Sequence, residues 1–125
     1  MQKPYLYLVK TRAKGRGVFT KEKIKANTII EEAPVIVMTK ADRELLDKTL
    51  LHDYIFEWEK GMCCMALGYI PMYNHSYKSN CEYFMDYNDH TIQVKTVRAI
   101  KKDEELTINY NGDWNSEKKL WFEAE

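Results

Sequence analysis

Residues 72–83, MYNHSYKSNCEY, gather two asparagines, one of the chain's three histidines, one of its three cysteines and three tyrosines. Three kinds of chemistry use such residues: metal coordination, nucleophilic catalysis, and binding through amides, hydroxyls and aromatic rings. Metal coordination fails on spacing. Cys63 and Cys64 are adjacent and Cys81 stands apart, so there is no C-x-x-C pair and no set of four ligands at workable intervals for zinc. An odd cysteine count gives no disulfide framework either. The three read as free thiols behaving as small hydrophobes, and no metal is expected.

A hydrolytic nucleophile fails on geometry. Neither Ser76 nor Cys81 sits in a glycine-backed elbow, and His75 would not point at its neighbour Ser76 in an extended chain. Lys14-Gly-Arg-Gly17 offers backbone amides and two cations, but matches neither the phosphate loop nor the dinucleotide fingerprint. By itself it is a tight turn that allows a ligand close to the backbone. Binding by amides and rings is what remains.

Those residues need a frame. At 125 residues with 45% hydrophobic and 30% charged side chains, the chain is one globular domain's worth. No window reaches the roughly 18 apolar residues of a membrane span. MQKPYLYLVKTR is too interrupted for a signal peptide, so an intracellular protein is expected: cytoplasmic, or nuclear in a eukaryotic or virus-infected cell. Residues 1–25 hold eight Lys/Arg and one Glu, and the rest of the chain is correspondingly acidic. That pattern fits a basic edge neutralised in the fold, or an acidic surface that attracts a basic peptide. It gives little reason to expect direct nucleic-acid binding.

Turn residues recur at short intervals, including Ala33-Pro34, between runs rich in Tyr, Val, Ile and Thr, which is a mainly β pattern. Strands are expected at 5–9, 17–20, 28–32, 35–38, 54–58, 62–67, 81–87, 91–99 and 106–110. Cys81, Tyr83, Met85 and Tyr87 alternate with Glu82, Phe84 and Asp86, and Leu106, Ile108 and Tyr110 alternate with Thr107 and Asn109. Asn27 suits a left-handed turn. Thr39 and Asp42 make a capping box for a helix reaching about Leu50, with Leu45, Leu46 and Leu50 inward. Ser116 could cap a last short helix carrying Leu120, Trp121 and Phe122.

Three stretches in order, KGRGVF at 14–19, NHSYKSNC at 74–81 and EELTINY at 104–110, resemble the SET-domain protein lysine methyltransferases. HDYIFEW at 52–58 and CMALGYIPMYNHS at 64–76 also look like the minimal, stand-alone viral and microbial members. The likeness spans about residues 5–114. It implies one SET domain over 1–125, with 115–125 as a short C-terminal lid or helix. The implied fold is a β-clip of small twisted sheets, with one or two short helices and a knot-like crossing at the active site.

The resemblance further implies methyl transfer from S-adenosylmethionine to a protein lysine, leaving S-adenosylhomocysteine, with a histone-like tail as the natural substrate class. Gly15, Arg16, Gly17, Asn74 and His75 then approach the cofactor, together with Tyr110. Tyr110 is the catalytic tyrosine, Tyr83 a channel tyrosine beside the target amine, Tyr54 a further channel tyrosine, and Trp114 an aromatic that closes the site. Read singly, Tyr83 and Tyr110 would be core residues with rim hydroxyls; the joint pattern gives them roles. The proline usual before Asn80 is Ser79 here, and the cysteine-rich segments of many relatives are missing. A catalytically silent module of the same fold is the alternative, and a homodimer that completes the peptide groove is compatible with the sequence.

Overall fold

The computed structural model describes residues 1–11 and 15–110. Among the described residues nine strands form two sheets. They are β1 (Leu6–Thr11), β2 (Gly15–Thr20), β3 (Ile29–Met38), β4 (Phe56–Glu57), β5 (Cys63–Ala66), β6 (Asn74–His75), β7 (Cys81–Asp86), β8 (Thr91–Thr96) and β9 (Glu105–Ile108). One sheet runs β1-β2-β9-β6 and the other β4-β5-β3-β8-β7. The mainly β expectation holds, and α1 (Lys40–Leu46) is the one α-helix among the described residues.

The core lies where the two sheets meet. Val18, Ile30, Ile92, Val94, Leu106 and Ile108 are fully buried, each a side chain whose removal from water is worth about 1.5–3 kcal/mol. All three cysteines are buried free thiols, as their pattern indicated. On β9 the two-faced alternation gives way to burial on both sides: Leu106, Thr107, Ile108 and Asn109 are all enclosed.

Two stretches read as separate strands are one. Ala33-Pro34 lies inside β3 rather than in a turn. The reason is a change of partner: β3 pairs with β8 up to Pro34 and with β5 from Val35 onward. Proline, which has no N–H to donate, sits where the ladder hands over. Asn27 takes the left-handed conformation foreseen for it, with φ 61°.

The capping box at Thr39 forms as read. Asp42 N–H donates to the Thr39 hydroxyl and Thr39 N–H to the Asp42 carboxylate, both at 3.1 Å. The helix it starts is shorter than foreseen, and Leu45 and Leu50 point outward at 65% and 76% exposure, leaving only Leu46 half-buried. After seven residues the chain turns into a 3₁₀ segment at Leu50–Asp53, so the three leucines never share one face. The 54–58 strand shrinks to Phe56–Glu57 because that segment ends only at Asp53. The proposed Ser116 helix lies outside the described residues.

β6 runs parallel to β9, with Asn74 opposite Thr107 and His75 opposite Ile108. Asn80 then ties the same two stretches side to side. Its Nδ2 donates to the Glu105 carbonyl at 2.8 Å and to Glu104 Oε2 at 3.1 Å, while its Oδ1 accepts from Thr107 N–H at 2.8 Å. Ser79, where the resemblance leads one to expect proline, is buried and donates from its hydroxyl to the Cys81 carbonyl at 3.1 Å, which holds the turn without a ring.

Asn80→Ala strips three hydrogen bonds from a buried spot and leaves the Thr107 N–H without its acceptor. We expect a loss of about 3 kcal/mol in a chemical denaturation series, reported as a lower midpoint at unchanged slope. A loss within experimental error would remove Asn80 from this structural role.

Candidate active site

Tyr110 follows β9 and is held at both ends by the residues flanking Asn74. Its backbone N–H donates to His75 Nδ1 at 2.9 Å, and its hydroxyl donates to the Tyr73 carbonyl at 2.7 Å. Accepting at Nδ1 selects the His75 tautomer that carries its proton on Nε2. The His75 ring also packs on Tyr110 and Tyr77, with centroids 5.1 and 4.4 Å away. This imidazole is therefore a support for Tyr110, and its ring is engaged within the fold.

Burial pushes the Tyr110 phenol up to about 12, with negative charge at Tyr54, Asp53, Glu105 and Tyr83 adding to the shift. Tyr83, on β7, packs edge-on against Phe56 at 5.2 Å and directs its hydroxyl to the Tyr110 carbonyl at 3.5 Å, the outer limit of a hydrogen bond. Tyr54 is half-buried just after the 3₁₀ turn that carries Asp53. Trp114 lies outside the described residues.

The glycine strand meets the same region from the other side. A Cβ on Gly17 would fall on Glu105 Oε2 and 2.8 Å from Asn74 Nδ2, so only glycine leaves these groups in place. Asn74 Nδ2 donates to Glu105 Oε2 at 2.7 Å, which fixes the orientation of the Asn74 side-chain amide. Gly15 is different: it has φ +72° and open space around it. Arg16 is exposed on β2, opposite Lys10 of β1.

The structure thus brings Gly17, Asn74, His75, Tyr83, Tyr54 and Tyr110 together, and puts Gly15 and Arg16 at the open edge of the same strand. The sequence reading passed over Glu105, which orients Asn74, and Tyr73, whose carbonyl receives the Tyr110 hydroxyl. Glu105 had a visible signal in the acidic turn feeding ELTINY. Tyr73 had none, because its contribution to Tyr110 is a main-chain oxygen. Among the described residues no cluster of His, Cys, Asp and Glu is arranged to hold a metal ion.

Two small β-sheets thus meet beside Tyr83 and Tyr110, with the glycine-bearing strand β2 on one flank. Residues 15–111 match the family model of the SET domain. The chain is 40% identical over 116 residues to a histone-lysine N-methyltransferase, H3 lysine-37 specific, of Schizosaccharomyces pombe, covering 92% of this chain and 75% of the relative. A crystal structure of a Plasmodium falciparum protein assigned as a histone methyltransferase aligns with a TM-score of 0.66 and 31% identity, over 91% of this chain and 98% of that one. The chain belongs to the SET-domain family.

The phenol shift carries a sign. A tyrosine raised on folding favours the neutral form, so its contribution to stability is complete below the ordinary value and is lost as pH rises through the folded one. We expect ultraviolet difference titration of the wild type against Tyr110→Phe to find the Tyr110 hydroxyl still protonated where ordinary tyrosine, at about 10, has ionised. A missing component that titrates at the ordinary value would contradict the burial described.

Proposed function

We propose that the chain transfers a methyl group from S-adenosylmethionine to the side-chain amine of a protein lysine, with a histone or similarly basic tail as substrate. The observation that carries this reading is Tyr110, fixed by His75 at its backbone and by Tyr73 at its hydroxyl. The name of the Schizosaccharomyces relative, a histone H3 enzyme, supports the substrate class and, with it, a nuclear place of action. No helix among the described residues is long and apolar enough to cross a membrane. We take 1–125 as a single SET domain.

The residues fit the cofactor. Gly17 keeps a stretch of backbone bare of side chain beside Asn74 and Glu105, and the Asn74 side-chain oxygen is an acceptor suited to an amino group. In this reading Gly15, Arg16, Gly17, Asn74 and the His75 backbone hold S-adenosylmethionine, and Trp114 closes the channel. When bound, the cofactor supplies an electrophilic methyl carbon on a sulfonium that keeps the bonding electron pair once the N–C bond has formed.

The chain's part is alignment and desolvation. Free lysine titrates near about 10.4, so its ammonium must lose a proton before the nitrogen can attack. An aromatic channel of Tyr54, Tyr83 and Tyr110 disfavours the charged form by desolvation. The Tyr110 hydroxyl proton is committed to the Tyr73 carbonyl, so the oxygen presents lone pairs to the channel as an acceptor for an amine N–H. Aromatic walls also tolerate the methylated cation that results.

Labelled methyl groups should appear on lysines of histones or other basic proteins. Tyr110→Phe should lower kcat roughly 10²-fold, the scale on which one oriented polar contact in a closed site acts. Modification of another residue type, or full activity in the variant, would sink the assignment.

By calorimetry, Gly17→Ala should weaken S-adenosylmethionine binding ~10-fold or more, because Asn74 must move. Gly15→Ala, which meets no neighbour, should mainly cost about 1 kcal/mol of stability from its left-handed backbone. Equal effects of the two on affinity would refute the distinction between them.

A further inference from the structure

Glu31 is a buried carboxylate on β3, a strand that carries none of the site residues named so far. It is 1% exposed. Its Oε2 accepts from Tyr69 N–H at 2.7 Å and its Oε1 from the Tyr73 hydroxyl at 3.0 Å. One carboxylate therefore grips both ends of the segment 69–73, which is bent by a 3₁₀ turn at Ile70–Met72. Room for it is made by Gly68, where φ is +68° and a Cβ would fall on Glu31 Oε2. Burying a carboxylate is costly and is tolerated only when its oxygens are well hydrogen-bonded.

What that segment delivers to the site is the Tyr73 carbonyl, which accepts the Tyr110 hydroxyl at 2.7 Å. The Tyr73 side chain is itself 1% exposed, so the residue is fixed on one side by Glu31 and on the other by Tyr110. Between Tyr69 and Tyr73 no other side chain offers a comparable anchor, since Ile70, Pro71 and Met72 carry no polar side-chain group; on the far side Asn74 is tied to Glu105 instead.

We propose that Glu31 is a positioning residue for the reaction: by holding the Tyr69 N–H and the Tyr73 hydroxyl, it sets the Tyr73 carbonyl that aims the Tyr110 oxygen into the channel. The inference rests on the methyltransferase reading for its kinetic consequence, but its structural core is independent of that reading. Glu31 acts at a distance from the reacting atoms, through the 69–73 segment that it grips at both ends. Glutamine in its place keeps the shape but accepts from only one of the two donors, turning its own NH₂ toward the other.

The test uses Glu31→Gln, Tyr73→Phe and the double variant in the full chain. Kinetically, each single variant lowers kcat about tenfold, equivalent to the loss of roughly one 1.4 kcal/mol interaction, with KM for peptide and cofactor unchanged within experimental error. The double variant is no worse than Glu31→Gln alone, because the contact that Tyr73→Phe removes is one of the two that Glu31 makes. Additive losses, a KM effect at constant kcat, or kcat losses that merely track the unfolded fraction would overturn the proposal.

A second readout needs no turnover. With ¹³C at the tyrosine ζ position, and the Tyr110 resonance assigned through Tyr110→Phe, both single variants shift that resonance. A resonance left unmoved in folded Glu31→Gln removes Glu31 from the chain of contacts. If the wild type transfers no methyl group while the resonance shifts, the methyltransferase reading fails and the positioning role stands.

Discussion

The side chain of Asn80 is the point at which two distant stretches of chain become one site. Its amide reaches main-chain groups 25 and 27 positions away, giving a hydrogen to the Glu105 carbonyl and taking one from the Thr107 N–H. These are the ladder bonds a short strand would otherwise lack, and only a group that both donates and accepts can supply them. Once they are made, the parallel pairing of β6 with β9 follows, and with it the meeting of His75 and Tyr110. Thr107 repeats the theme, since its hydroxyl accepts from the Asn80 backbone at 3.4 Å. Local propensity would not hold a two-residue parallel strand together; a buried polar network does.

From that crossing the remaining contacts spread outward in both directions. Glu104 accepts from Asn80 and from Arg98 at 2.6 Å, and these partners, with the Lys101 N–H, outweigh the desolvation that pushes the other way and hold its carboxyl below the usual range. Glu105, the next residue, faces the opposite flank and orients Asn74. Two adjacent acids thus divide the work, one fastening the crossing and the other shaping the cradle under Gly17. Alternation along an extended chain is what lets neighbours serve opposite sides.

Much of this was legible beforehand because it is local or motif-borne. The Thr39–Asp42 box, the left-handed Asn27 and the strand leading toward Tyr110, which stops at Ile108, need only short-range patterns. The SET-like stretches brought Gly17, Asn74, His75, Tyr54 and Tyr83 to one place in advance. What stayed hidden depends on which strands become neighbours. Pro34 looked like a turn because nothing nearby in sequence reveals that β3 changes partner there. Leu45 and Leu50 looked inward because a helical stripe was extended past the point where the helix stops. Glu31 lies about forty positions from Tyr69 and Tyr73, and a lone glutamate in a strand ordinarily reads as a solvent-facing charge.

The acceptors that aim the two central hydroxyls are both main-chain oxygens: that of Tyr73 for Tyr110, and that of Tyr110 for Tyr83. A carbonyl of the backbone cannot be substituted; it can only be displaced. The aim of the site is therefore indifferent to the chemical identity of the residue lending the oxygen and sensitive to whatever bends the chain beneath it. Its weak points are remote and inconspicuous, such as the missing Cβ at Gly68 and the ring of Pro71, and a genetic lesion there would look like a packing defect while acting as a loss of aim.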